Sequence, residues 1–175
     1  AISPAAYNNV EGLNLEPGTY ISIIGKDDSS SYWTNVKKGV MQAADDLNKE
    51  LGYKGSDKIK VTYNAPAKSE DIDEQVNILD MVLTENPVVV CLSAVDMSSC
   101  EAQLEAAQED GIPVVMLDSG VKSDDDLVYA YCGTDNKAAG EEAAKQLCEA
   151  IGDEGEVAVM SHTQLSQSSK DRVEG

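Results

Sequence analysis

The chain is predicted to be an α/β protein built on a three-layer, doubly wound parallel sheet. Short apolar runs rich in Val and Ile recur along it, each too short for a helix and suited to a buried strand. Most are separated by ten or more residues with helical apolar spacing, so the strands pair in parallel through right-handed crossovers. Polar residues collect directly after the strands, on the edge where such a sheet receives its ligand.

Taken in order, residues 1–19 read as a polar tail or linker with Pro4, Pro17-Gly18 and Asn8-Asn9 as turn signals. A secreted chain after signal removal begins this way, and so does a trimmed one. Tyr20 to Ile24 is the first strand, and Gly25 ends it. The loop Lys26-Asp27-Asp28-Ser29-Ser30-Ser31 leads into a helix from about Tyr32 to Leu51, with Trp33, Val36, Val40, Ala44, Leu47 and Leu51 on one face. Ser30 or Ser31 caps it and Gly52 terminates it. Lys58 to Tyr63 alternates charged and apolar residues, as an edge strand does. Ser69 is expected to cap the next helix, with Ile72, Val76, Leu79 and Leu83 buried and Asn86-Pro87 as the stop.

Val88 to Leu92 is apolar throughout, as a strand covered on both faces should be. Ser98 to Glu101 fits a capping box, and Gly111 closes the helix it opens. Ile112 to Leu117 and Leu127 to Cys132 follow as strands, with an acidic loop between them. Asp135 or Asn136 caps an Ala-rich helix ending at Gly152, and Glu156 to Met160 is expected to be a sixth strand.

Composition narrows the function. Of 175 residues, 13 are Lys or Arg and 32 are Asp or Glu, a net charge of −19. Without clustered cations, nucleic-acid and anionic-membrane partners are disfavoured. No apolar run reaches membrane-spanning length. The four cysteines, Cys91, Cys100, Cys132 and Cys148, lack metal-ligand spacing. Cys91 and Cys148 read as buried thiols, and Cys100 and Cys132 as free or bonded to each other. Neither a Gly-rich phosphate loop nor a Walker motif is present, and no cofactor is expected. A response-regulator receiver would need an aspartate where Ser93 stands and a lysine near Cys132-Gly133. His162, the lone histidine, has no Ser/acid arrangement around it in sequence.

The residues after the strands are therefore the candidate site: Lys26, Asp28, Ser30, Tyr32 and Trp33, then Ser93 and Asp96, then Asp118 and Ser119. Carboxylates that accept from neighbouring hydroxyls, beside aromatic faces that pack on C–H surfaces, suit a small polyhydroxylated ligand. Each residue also has a structural use as turn, cap or core. Asp96 and Asp118 stand out because neither is required to start a helix.

With these residues placed, the chain resembles the type I periplasmic-binding-protein family, sugar-binding proteins of ABC importers, and the related effector domains of LacI-type regulators. The resemblance rests on Ser31-Tyr32-Trp33 after the first strand, on Gly111-Ile112-Pro113-Val114-Val115-Met116-Leu117-Asp118, on Thr134-Asp135-Asn136, and on Ser169-Lys170-Asp171-Arg172-Val173-Glu174-Gly175. It implies a flavodoxin-like first lobe over 20–134, and over 135–175 a hinge crossing through Thr134, Asp135 and Asn136 into the start of a second lobe. Tyr32 and Trp33 would stack on a sugar. Asp118 would bind its hydroxyls, and Lys170 would reach in from the second lobe where the family has an arginine. Ser119 also replaces a common arginine. The resemblance further implies a non-catalytic, extracytoplasmic protein, periplasmic or a cell-surface lipoprotein, that delivers its ligand to an ABC permease. The alternatives are a regulator's effector domain or a membrane sensor. Since the chain stops after the start of the second lobe, the resemblance implies a part of a longer protein.

Overall fold

The computed structural model describes residues 9–122 and 126–175. Asn8 and Pro4 of the expected tail, and Asp124 and Asp125 of the acidic loop, lie outside the described residues. The sheet is five-stranded and parallel: β1 (Tyr20–Ile24), β2 (Lys60–Asn64), β3 (Val89–Leu92), β4 (Val114–Leu117) and β5 (Ala130–Cys132), in the order β2-β1-β3-β4-β5. The order reverses between β1 and β3, which opens a crevice at their carboxyl ends.

Helices α1 (Ser31–Leu51), α2 (Ile72–Thr84) and α3 (Glu101–Glu109) make the crossovers. Ser30 caps α1 by accepting from the Trp33 N–H, and Gly52 ends it at φ 72°. The main core lies between α2, α3 and one sheet face, where Ile24, Leu92 and Met116 in register meet Leu79, Val82 and Leu104. On the opposite face, Ile23 is buried while Cys91, Val115 and Leu117 are only half-buried.

Four expectations are corrected. Residues 156–160 are exposed and form no strand, because no described strand lies alongside to take their backbone hydrogen bonds. The α2 cap is Asp71, accepting from the Glu74 N–H, and not Ser69. Glu70 sits at φ 67°, so the helix does not extend back to Ser69. No side chain caps α3: its N-cap position is Cys100, and the Ser98 N–H and Ser99 hydroxyl donate to Asp96 in the preceding turn. All four cysteines are free, and Cys148 is exposed, because only α5 (Gln167–Glu174) packs substantially on α4 (Asn136–Ile151).

A residue not expected in the core ties the crevice together. Gln75, on α2, is buried; its amide donates to the Gly25 and Ser93 carbonyls, both at 2.9 Å, and accepts from the Val95 N–H at 2.8 Å. It thus satisfies backbone groups at the ends of β1 and β3 that have no strand partner there. It also fixes the two loops that follow those strands relative to each other.

Candidate functional site

A cavity of about 650 Å³ opens where the carboxyl edge of the sheet faces residues 162–172. Its centre is Asp118, directly after β4. The Tyr32 hydroxyl donates to Asp118 Oδ1 at 2.7 Å, and Lys26 Nζ lies 3.8 Å from Oδ2. The backbone of Asp118 is left-handed, φ 60°, a conformation that Asp tolerates better than most residues. It is pinned on both sides: its N–H donates to the Cys132 carbonyl and its carbonyl accepts from the Tyr131 hydroxyl at 2.7 Å.

The electrostatics follow from partial burial. Burial pulls the Lys26 ammonium below its ordinary pKa, and the Asp118 charge and hydrogen bond offset part of that fall. Burial, followed by the bond and charge of Asp118, pushes the Tyr32 phenol up to about 12. Tyr32 therefore stays a donor across the physiological range.

Tyr32 and Trp33 both line the cavity, edge to face, with centroids 5.2 Å apart. Their environments differ: Tyr32 is 53% exposed and Trp33 only 5%. Ser30 lines the wall while capping α1. Asp27 reaches the cavity, but its Oδ1 already accepts from the Ser29 and Ser30 N–H groups, and Asp28 points outward.

Gly25 is required here by close approach. A Cβ on it would run into the Tyr63 hydroxyl, which donates to the Asp27 carbonyl, and would crowd Trp33 Cε3 at 3.1 Å. Gly25→Ala is expected to destabilise the fold by about 1–3 kcal/mol through this overpacking, measured as a shift in denaturant midpoint.

The remaining candidates lie elsewhere. Ser93 is fully buried below the crevice, and its Oγ has no partner among the described residues. Ser119 is also fully buried, with its Oγ 3.3 Å from Ser168 Oγ. Asp96 organises its own turn and is influenced by Lys170, and neither lines the cavity. Burial pushes the Asp96 carboxyl up, but the Ser99 hydroxyl, the Ser98 and Ser99 N–H groups and the Lys170 charge together hold it below its ordinary value.

A carboxylate depressed by folding adds stability above its unfolded pKa and loses it as pH falls through its folded pKa. Asp96→Asn is therefore expected to destabilise at neutral pH and progressively less below about pH 4. Urea unfolding at the two pH values checks this.

Among the expected hinge residues, Thr134 lines the cavity and its carbonyl accepts from Tyr131 and Asn136. Asp135 caps α4, and the buried Asn136 accepts from Arg172 Nε at 2.8 Å. Arg172, not Lys170, stands on the cavity wall, with His162 and Ser69 as further residues the sequence reading did not select. A second cavity, about 630 Å³, lies beside the exposed β5 edge and shares only Thr134 with the first. It lacks the convergence of carboxylate, amine, phenol and guanidinium found around Asp118.

The sequence from residue 21 to 175 matches the family model described as "Periplasmic binding protein domain". The chain belongs to this family of periplasmic binding proteins. Solved structures agree with that membership. An ABC transporter solute binding protein from Agrobacterium vitis with bound D-fucose is 33% identical, with a TM-score of 0.75 over 88% of this chain and 50% of that one. A sugar transporter from Clostridium phytofermentans is 27% identical, with a TM-score of 0.72 over 89% and 54%. A carbohydrate transporter solute binding protein from Agrobacterium radiobacter in complex with D-arabinose is 26% identical, with a TM-score of 0.72 over 89% and 50%. This chain thus spans about half the length of these periplasmic binding proteins. No curated protein matches it.

Proposed function

We propose that the chain is the ligand-capturing part of an extracytoplasmic solute-binding protein that takes up a small sugar or sugar-like polyol and passes it to an ABC importer. In this reading residues 20–134 are the first lobe, and 135–175 carry the chain through Thr134, Asp135 and Asn136 into the second. The two lobes close on ligand. The observation that carries the reading is the Asp118 carboxylate, flanked by Tyr32 and Lys26 and facing the hydroxyl-rich start of α5 across the cavity. Such a group accepts from adjacent sugar hydroxyls while the exposed Tyr32 face packs on C–H surface. The sugars named for the similar structures are of that class.

The site is read as non-catalytic. The family model that matches the chain and a similar solved structure are both described as binding proteins. Thermal-shift measurements on the intact protein with neutral sugars, polyols and amines test the ligand class, since a bound ligand raises stability as its concentration exceeds Kd. A shift with at least one sugar or polyol is expected. No shift with any of them, together with a shift by an amine, overturns the assignment. Loss of uptake of the bound sugar in cells lacking the protein checks the delivery step.

A further inference from the structure

We propose that Tyr131 is a positioning residue for ligand recognition, whose phenolic hydroxyl holds Asp118 in the strained turn that aims its carboxylate into the cleft. The inference rests on the solute-binding reading and adds a residue to it. Tyr131 lines the cavity beside β5 and not the one around Asp118, so it acts through Asp118 and not on the ligand.

The strain lies in the backbone. Asp118 stands at φ 60°, and the Ser119 N–H closes back on the Leu117 carbonyl, an i→i+2 bond with Asp118 at its centre. This is the rarer and more strained hand of γ-turn. A residue with a Cβ keeps such a conformation only where its surroundings hold it. Cβ direction follows the backbone, so a relaxed Asp118 would carry its carboxylate away from Tyr32 and Lys26.

Both outside holds come from the end of β5. Leu117 and Cys132 are opposite each other in register, and the Cys132 carbonyl accepts from the Asp118 N–H at 2.9 Å. That bond fixes the peptide before the Asp118 Cα. The peptide after it presents the Asp118 carbonyl, whose only donor among the described residues is the Tyr131 hydroxyl at 2.7 Å. Burial, followed by the Asp118 charge, pushes the Tyr131 phenol above its ordinary value, so it stays a donor at neutral pH.

The same hydroxyl lies 3.2 Å from the Thr134 carbonyl, but one proton serves the nearer acceptor best. Thr134 does not depend on it, because Asn136 Nδ2 donates to that carbonyl at 3.1 Å. Removing the Tyr131 hydroxyl therefore strips Asp118 alone. Gly133 makes room for the arrangement: a Cβ there would come 2.5 Å from the Tyr131 hydroxyl oxygen. Gly133→Ala is thus a second, independent way to displace the same hydroxyl.

A double-mutant cycle read by calorimetric titration tests the proposal on the intact protein. The probe is the tightest binder from a panel of neutral pentoses and hexoses that includes D-fucose and D-arabinose. Tyr131→Phe is expected to weaken binding about fivefold or more, the size of one lost hydrogen bond. In an Asp118→Asn background, where the carboxylate it positions is gone, the same substitution should change affinity by less than about twofold. Gly133→Ala should behave alike in both backgrounds. A general loss of stability would act equally with and without the Asp118 carboxylate, so the cycle decides even if an unfolding midpoint falls. Parent-like affinity of Tyr131→Phe, or an equal loss in the two backgrounds, overturns the role of Tyr131 and leaves solute binding intact. Absence of binding by every sugar to the parent protein overturns both.

Discussion

Asp118→Asn is expected to weaken sugar binding by about 10- to 100-fold, the range spanned by hydrogen bonds to a charged acceptor. The carboxylate faces Tyr32 with one oxygen and Lys26 with the other. An amide in its place must turn its NH₂ toward one of those two donors, and one side of the pair is lost. Lys26 suffers in addition, because burial already lowers its pKa and the Asp118 charge is what opposes that fall. Asparagine is the right probe because it tolerates the left-handed backbone at φ 60°, where alanine would add strain. Titration of the variant with the tightest-binding sugar, after its unfolding midpoint is shown to be near the parent's, reads the effect. An unchanged affinity would remove Asp118 from the centre of the site.

Trp33→Ala is expected to destabilise the fold by about 3–5 kcal/mol, as large-to-small changes of buried aromatics do. Only 5% of Trp33 is exposed, and its ring is packed by Tyr32 and the Gly25 backbone. That loss is a large share of the total stability of a domain. Tyr32 offers the contrast: it is 53% exposed, so Tyr32→Phe should leave the unfolding midpoint nearly unchanged and act through the lost bond to Asp118. Denaturant unfolding of both variants separates the roles. A Trp33→Ala protein as stable as its parent would mean that Trp33 is a ligand shelf and not core.

The fold was legible wherever a local pattern carries its own cause. Ser30 and Gly52 bound α1 as caps do in any helix, and β1 has the limits its apolar run implies. The segment 156–160 has an equally strand-like sequence, but a strand exists only with a neighbour, which composition does not reveal. In the site, Lys26, Tyr32 and Asp118 were legible because they lie in the loop and helix start after β1 and directly after β4, strands whose carboxyl ends share one edge.

Ser119 was not, because its partner lies far along the chain, and Asp96 was not, because its carboxylate is taken up by its own turn. Ser119 meets Ser168, and the loop after Asp96 joins the same segment through the Met97 N–H and the Leu165 carbonyl. The choice between Lys170 and Arg172 depended on the phase of α5. A shift of two residues on a helix turns a side chain by about 200°, enough to exchange cavity wall for outer surface. Gln75 gave no signal at all, since a polar residue on a helix reads as exposed until the backbone groups it serves are known.

A crystal structure of the intact protein with its tightest-binding sugar or polyol tests the account most directly. The account predicts ligand density between Tyr32 and Asp118 on one side and Arg172 with the α5 turn on the other, with ligand oxygens within hydrogen-bonding distance of Asp118. Ligand seated beside β5, or on any surface that leaves the Asp118–Tyr32 bond solvent-exposed and untouched, would contradict it.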